Sequence, residues 1–286
     1  MLSCIWYISK NISAWERVLI GNMASALKSR AEIIIYADGG VNNIKYENAY
    51  SWQALTSLER AKNILFSGKR LWHLWGDAPA WWPLVKLHER TAHTLNFNFN
   101  FNNKNFKWQG CPSRLFPDDR ASSGEFILIP NFDFKLNNNV NQAEAPAVYA
   151  SDKIAKDFDL NIKLDGNLIK VININNLDFN SQAKSGVFIA DSLNIYDALK
   201  AAVLTMQGLA VVSLKSEYLD KLLGSYGYFK LDLEDGKDAR REIILKALSE
   251  QGRRVSASAR HFIKSNYSSE RCADSFLELY KNILKF

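Results

Sequence analysis

Short apolar runs rich in β-branched and aromatic residues alternate along the chain with longer stretches whose apolar positions recur at helical spacing, the pattern of βαβ units in a parallel sheet. In the first half, residues 3–8, 32–37, 70–74, 91–96 and 126–129 read as strands, and 13–28, 52–65 and 80–88 as helices. The first helix carries its own start signal. Ser13 followed three positions later by Glu16 forms a capping box, in which side chains satisfy otherwise unpaired backbone donors. Val18, Leu19, Asn22, Met23 and Leu27 then trace a mostly apolar stripe, so this helix packs one face on a sheet.

The alternation breaks twice. Residues 96–105 alternate Asn with Phe and then lose the Phe, which suits either a strand with one apolar face or a loop carrying exposed aromatics. Residues 131–146 are Asn-rich and end in Glu144, Ala145 and Pro146, which reads as a linker because Asn favours turns and Pro disrupts regular elements. Beyond it the pattern resumes with strands at 147–150, 169–174, 187–190, 209–213 and 228–231, and helices at 195–206, 217–223, 239–249, 253–264 and 270–283. The expected organisation is α/β with two Rossmann-like lobes: residues 1–135, a linker at 136–146, and residues 147–286 with closing helices. No short internal repeat suggests a solenoid.

At 286 residues and 47% hydrophobic content the chain can fill a core in each lobe. All eight Trp lie before residue 110, so the aromatic load belongs to the first half. Residues 1–140 hold 16 basic against 11 acidic side chains, and the remainder 20 against 19. A basic excess attracts phosphate, anionic lipid headgroups or nucleic acid, or simply keeps the protein soluble. Here it is diluted over many elements, so no nucleic-acid partner is expected. Cys4, Cys111 and Cys272 are too widely spaced to frame a disulfide scaffold or a zinc site. The N-terminus lacks the pattern of a signal peptide, and nowhere do eighteen apolar residues follow one another. A soluble, cytoplasmic protein is the expectation.

The stretch A-V-L-T-M-Q-G-L-A-V-V-S at 202–213 is a helix ending at Gly208 and running directly into a buried strand; glycine there takes the left-handed conformation that ends a helix at little cost. It resembles the helix-glycine-strand segment of retaining GT-B glycosyltransferases, in which a glutamate-bearing helix leads into a G-L-P-V-V-like strand. A polar helix at 217–223, the strand Y-F-K-L-D-L and the helix in D-G-K-D-A-R-R-E-I-I-L-K-A-L follow in that family's order. The end, A-R-H-F-I-K-S-N-Y-S-S-E-R-C-A-D-S-F-L-E-L-Y-K-N-I-L, is similar to its closing Arg-rich helix, Y-S-W-E-like turn and last helix, with Phe276, Leu279, Tyr280 and Ile283 forming a stripe that grips a neighbouring lobe. In the first half, residues 13–37 resemble the family's first loop, helix and second strand. R-T-A-H-T-L at 90–95 resembles its T-x-H-D-like strand end, and F-I-L-I-P-N-F-D at 126–133 its V-I-P-N-G-V-D-like segment.

The resemblance, to a divergent and shortened member of the group-1, family-4-like enzymes, implies a GT-B architecture with an acceptor-side first lobe, a donor-side second lobe and a cleft between them. It implies transfer of a sugar from a nucleotide-sugar donor to a glycan or lipid-linked acceptor in surface polysaccharide or glycoconjugate synthesis. The nucleotide sugar is then substrate rather than cofactor, no metal is required, and the basic first lobe is placed for peripheral contact with an anionic membrane at its inner face. The alternative is a non-catalytic glycosyltransferase-like binding or partner subunit.

Residue by residue, the resemblance puts Ser13 and Ala14 where the family's glycines let backbone approach phosphate; Ala14 allows less freedom than glycine, and Ser13 also reads as a plain helix cap. His93 falls at the acceptor-side strand end as a candidate general base, with a structural histidine as the other reading. His73 in L-W-H-L-W-G-D has a similar setting. Asp77, Trp75, Trp81 and Trp82 around it line either a sugar site or a core. Lys153 and Lys156, after V-Y-A-S, stand where the family's basic pair meets the diphosphate, or are solvated helix residues. Asp191, Ser192 and Asp197 lie near the donor position. The two donor-side glutamates of the family would fall at Ile195 and Val203, neither of which accepts a hydrogen bond through its side chain. The segment from Ser151 to Gly208 is shorter than the family's, as though a βα unit were reduced.

Overall fold

Apolar strands buried on both faces demand helices around a parallel sheet. The computed structural model of the chain, which describes residues 2–9, 12–37, 52–54, 71–77, 79–81, 91–94, 129–132, 146–158, 160, 163–164, 166–174, 185–190 and 195–284, has two such sheets. The chain divides into two compact units. One combines Met1–Asn131 with Ser269–Phe286, and the other is Phe132–Ser268.

In the first unit β1 (Leu2–Ile8), α1 (Ala14–Leu27), β2 (Ala31–Ala37), β3 (Trp52–Ala54), β4 (Leu71–Trp75) and β5 (Thr91–Thr94) build a five-stranded sheet of order β3-β2-β1-β4-β5. All neighbours are parallel, with Cys4 opposite Ile33 on one side and Leu71 on the other. This is the Rossmann order, and its direction reverses between β1 and β4. Residues 52–54 form a strand rather than the start of the helix expected from 52 to 65; Trp is a residue type that strands favour, and residues 55–65 lie outside the described set. Ile129 is not in a strand, residues 80–81 form a turn, and the expected elements at 82–88, 95–96 and 126–128 lie outside the described residues. So do the Asn/Phe run, most of the expected linker, Trp82, Trp108 and Cys111.

The last helix, residues Ser269–Leu284, completes this first unit instead of closing the second lobe, where the sequence-based division put it. Its stripe of Cys272, Phe276, Leu279 and Tyr280 is fully buried. Phe276 packs on Trp6 with ring centroids 5.2 Å apart, and each such side chain taken out of water contributes roughly 1.5–3 kcal/mol. Polar ties fix the docking. The Ser275 hydroxyl accepts from the Ile129 amide at 3.1 Å, and Arg30 pairs with Asp274. Asn131 donates to the Asn22 carbonyl at 2.9 Å and accepts from Ser269.

The second unit contains β6 (Ala147–Ala150), α2 (Asp152–Asp157), the small antiparallel pair β7 (Lys163–Leu164) and β8 (Asn167–Leu168), β9 (Val171–Asn173), β10 (Gly186–Ile189), α3 (Ile195–Met206), β11 (Ala210–Leu214), α4 (Glu217–Leu223), β12 (Phe229–Leu231), α5 (Lys237–Leu248) and α6 (Glu250–Asn266). With the closing helix as α7, this numbering covers the described chain. The main sheet has order β12-β11-β10-β6-β9, all parallel. Relative to the first unit, the side beyond β6 carries one strand fewer among the described residues, in keeping with the short Ser151-to-Gly208 segment. The order reverses between β6 and β10. Gly208, at φ 106°, ends α3 as expected and turns the chain straight into β11. Val148, Val187, Ile189, Val212, Leu231 and Ile244 anchor an aliphatic core.

Candidate functional site

In open parallel sheets ligands meet the carboxyl ends of strands where the strand order reverses, so the two reversal points are where chemistry is expected. In the first unit β1 ends at Ile8, and the Ser9 amide extends its ladder by donating to the Trp75 carbonyl at 3.0 Å. The chain turns through Ile12 and enters α1 at Ser13. Glu16, 1% exposed, accepts from both the amide (2.8 Å) and the hydroxyl of Ser13. The expected capping box thus directs the Ser13 hydroxyl to a carboxylate. Ala14 is the first residue of α1.

On the other side of the reversal, β4 ends at Trp75 and Gly76 turns the chain at φ 87°. A Cβ at Gly76 would lie 2.5 Å from the Ser9 hydroxyl, so a larger residue is barred by both backbone shape and space. The Ser9 hydroxyl, in turn, accepts from the Asp77 amide at 3.1 Å. Ser9 therefore stitches the β1 loop to the β4 loop and presents the exposed Asp77 at the edge. His93 pairs in register with Leu74, one residue before the end of β5. Ser13 and Asp77, which follow β1 and β4, and His93, near the end of β5, consequently belong to three adjacent strands at one carboxyl edge. Ser9 and Gly76 were not singled out from sequence; the available signal was a serine and a glycine each following an apolar strand.

His73 is not at that edge. It is fully buried, its Nδ1 lies 2.8 Å from the Tyr280 hydroxyl, and its ring stacks on Trp75 at 4.4 Å. Trp6 donates its indole N–H to the same hydroxyl at 2.8 Å. Tyr280 stays a phenol under all ordinary conditions, because burial pushes its pKa well above the usual range. The imidazole is thereby placed in the core beneath α7, and Trp75, 1% exposed, belongs to that core as well.

In the second unit, β6 leads through Ser151, whose hydroxyl accepts from the Ile154 amide at 3.3 Å, into α2, and Lys153 and Lys156 are exposed on that helix. Across the reversal, β10 leads towards α3. Asp191 and Ser192 in that connection lie outside the described residues. Asp197, in the first turn of α3, pairs with Lys200 at 3.9 Å, with its side chain 19% exposed. Ile195 opens the helix and Val203 is completely buried within it. At the next loop the Tyr228 hydroxyl accepts from the Ser216 amide at 3.1 Å and returns a bond to its carbonyl, and burial raises this phenol to about 12. That clasp carried no sequence signal. Among the described residues no group of three His, Cys, Asp or Glu is arranged to hold a metal, and no helix is long and apolar enough to cross a membrane.

No family model matches the chain, and no curated protein matches it. Solved structures do. A glycosyltransferase from Rickettsia africae aligns over 99% of each chain with a TM-score of 0.61 at 12% identity. The Anabaena protein HepE, solved with UDP, aligns over 99% of this chain and 100% of its own at 0.59 and 10% identity. AviGT4, a glycosyltransferase of avilamycin A biosynthesis, aligns over 100% and 98% at 0.57 and 11%. The fold is that of the GT-B glycosyltransferases. A UDP-N-acetylglucosamine 2-epimerase also aligns, over 99% of this chain and 97% of its own, with a TM-score of 0.55 at 10% identity. The GT-B assignment therefore concerns the scaffold, and activity has to be argued from the edge residues.

Proposed function

We propose that the chain transfers a sugar from a nucleotide-activated donor to a glycan or lipid-linked acceptor in surface polysaccharide or glycoconjugate synthesis, working in the cytoplasm or at the inner face of the membrane. The observation that carries this reading is the match over nearly the full length of both chains to glycosyltransferases, one of them an alpha-glucosyltransferase solved with UDP. Transfer needs a stabilised leaving diphosphate, a glycosyl carbon held close to the acceptor hydroxyl, and exclusion of water. On the acceptor side, His93 is the general base, drawing the proton from the incoming hydroxyl, with Asp77 beside it in strand order. The backbone at Ser13 and Ala14 faces phosphate from the start of α1. In the donor unit Lys153 and Lys156 supply positive charge after β6, and Asp191, Ser192 and Asp197 meet sugar or ribose hydroxyls after β10. The reaction runs without a metal, and the nucleotide sugar is its only small-molecule partner besides the acceptor.

A second reading, a non-catalytic binding or partner subunit on the same scaffold, is favoured by one observation: Val203 is 0% exposed, so the donor side has neither a carboxylate at that position nor an open surface for one. A panel of uridine, guanosine, adenosine and thymidine diphosphate sugars, titrated by calorimetry and followed for hydrolysis and transfer, separates the readings. Saturable binding of one donor with turnover is expected. His93→Ala should keep donor binding and lose roughly 10²–10⁴-fold in rate. Binding without turnover in the presence of acceptor extracts would favour the partner subunit, and silence across the panel would remove the transferase reading.

A further inference from the structure

Helix α6 has two unlike faces. Gly252, Ser256, Ala259 and Ile263 point inward and are buried, and Ser256 anchors the helix by donating to the Leu209 carbonyl at 3.1 Å. Opposite them, Arg253, Arg254, Ala257, Ser258, His261, Lys264 and Ser265 are exposed. In 17 residues the helix holds Arg253, Arg254, Arg260 and Lys264 against a single carboxylate, Glu250. That carboxylate lies 3.8 Å from Arg253 and 3.6 Å from Arg254, which leaves the stripe strongly positive. Its neighbour α5 contrasts: there basic residues alternate with Asp238 and Glu242, and Lys246 is paired with Glu242 at 2.7 Å.

A second feature adjoins the stripe. A Cβ at Gly224 would touch the Phe262 ring at 3.3 Å, so the turn between α4 and β12 lies against α6. Two residues on, Tyr226 stands 90% exposed, the most exposed large apolar side chain among the described residues. The Lys221 carbonyl accepts from the Tyr267 hydroxyl at 3.1 Å, which brings that exposed lysine to the end of the same helix.

We infer that this face, formed by the outer side of α6 and the Tyr226 turn, docks the second unit on an anionic membrane surface. Cations gathered on one exposed side of a helix match a plane of lipid phosphates, and the exposed phenol of the turn that packs on the same helix suits the headgroup zone, where amphipathic aromatics settle. The inference deepens the membrane placement in the proposed function, and moves it from the basic first half to α6. It needs no donor or acceptor, so it can fail while sugar transfer stands, and the reverse.

The test is flotation of the full chain with vesicles of phosphatidylcholine alone or with 30% phosphatidylglycerol, without nucleotide sugar. Binding to the anionic vesicles only is expected, falling steeply with salt. Arg253→Glu combined with Lys264→Glu should reduce partitioning by on the order of 10²-fold, since each basic residue near such a surface contributes about fivefold. Both positions are exposed helix sites, and unchanged circular dichroism confirms the fold; Arg253→Gln with Lys264→Gln gives a milder loss as a second series. Tyr226→Ala should weaken binding severalfold at high salt, where charge is screened. Equal binding to neutral vesicles, no binding to either, full binding by the charge-reversed variant, or retention of a single-stranded oligonucleotide in preference to anionic vesicles would each overturn the inference.

Discussion

The first unit gathers two indoles, an imidazole and a benzyl ring around one phenol, Tyr280, whereas the main core of the second packs valines, leucines, isoleucines and alanines. Aliphatic packing is non-directional and degrades gradually when one side chain changes. The aromatic cluster is bound by two hydrogen bonds to one hydroxyl, so a single atom matters there. The two cores also differ in where their residues come from. The second is drawn from positions between Val148 and Leu248, while the first joins β1 to a helix at the opposite end of the chain. A core that depends on a distant segment cannot be completed locally, and its stability should respond to changes the other unit ignores.

Removing residues 269–286 should break this contrast most severely. The first unit would lose Phe276, Leu279 and Tyr280 and unfold, while the second keeps its aliphatic core. Because all eight Trp lie before residue 110, indole fluorescence reports the first unit alone, and a red-shifted emission with a residual cooperative transition by circular dichroism is expected. Native-like emission from the truncated chain would contradict it.

Alkaline pH is the next largest effect. Burial raises Cys4 from 9.0 to about 12 and pushes Cys272 higher still, beside Tyr280. Between pH 9 and 12 the unfolded chain gives up protons that the folded first unit retains, so its stability is full below pH 9 and falls as pH rises through that window. Tyr228 in the second unit shifts from 10.0 to about 12, so that unit should begin to weaken later, above pH 10. Urea midpoints read by indole fluorescence and by circular dichroism should separate as pH increases, the fluorescence midpoint falling first.

Tyr280→Phe sharpens the contrast on a finer scale. It keeps the ring and leaves the Trp6 indole N–H and the His73 Nδ1 without that hydroxyl, a loss of roughly 1–3 kcal/mol. The fluorescence-detected urea transition should move while the dichroism of the second unit holds its midpoint.

Much of the second unit was legible from sequence. α3 and α4 have the boundaries that their apolar spacing and flanking residues predict, and β6 coincides with the A-V-Y-A run. Local signals sufficed because its elements follow one another and pack on near neighbours. The role of the last helix was only half legible: the Phe276-to-Ile283 stripe announces a buried face but says nothing of which sheet it meets. Position 73 was misleading for a related reason. A histidine among tryptophans at a strand end suits a binding site as well as a core, and only a partner 207 positions away decides between them. At the candidate edge, residue types could be nominated, but the Ser9 bond to the Asp77 amide joins loops 68 positions apart, and no periodicity encodes it.

The return of α7 to β1 bears on how the protein is made. A ribosome delivers the first sheet early and its covering helix only after the second unit, so the indoles of β1 and β4 wait uncovered while that entire unit is synthesised. The second unit has every residue of its aliphatic core available by Leu248 and can fold first, reversing the usual order in which domains mature from the N-terminus. During that interval the nascent first sheet is the segment in greatest need of a chaperone.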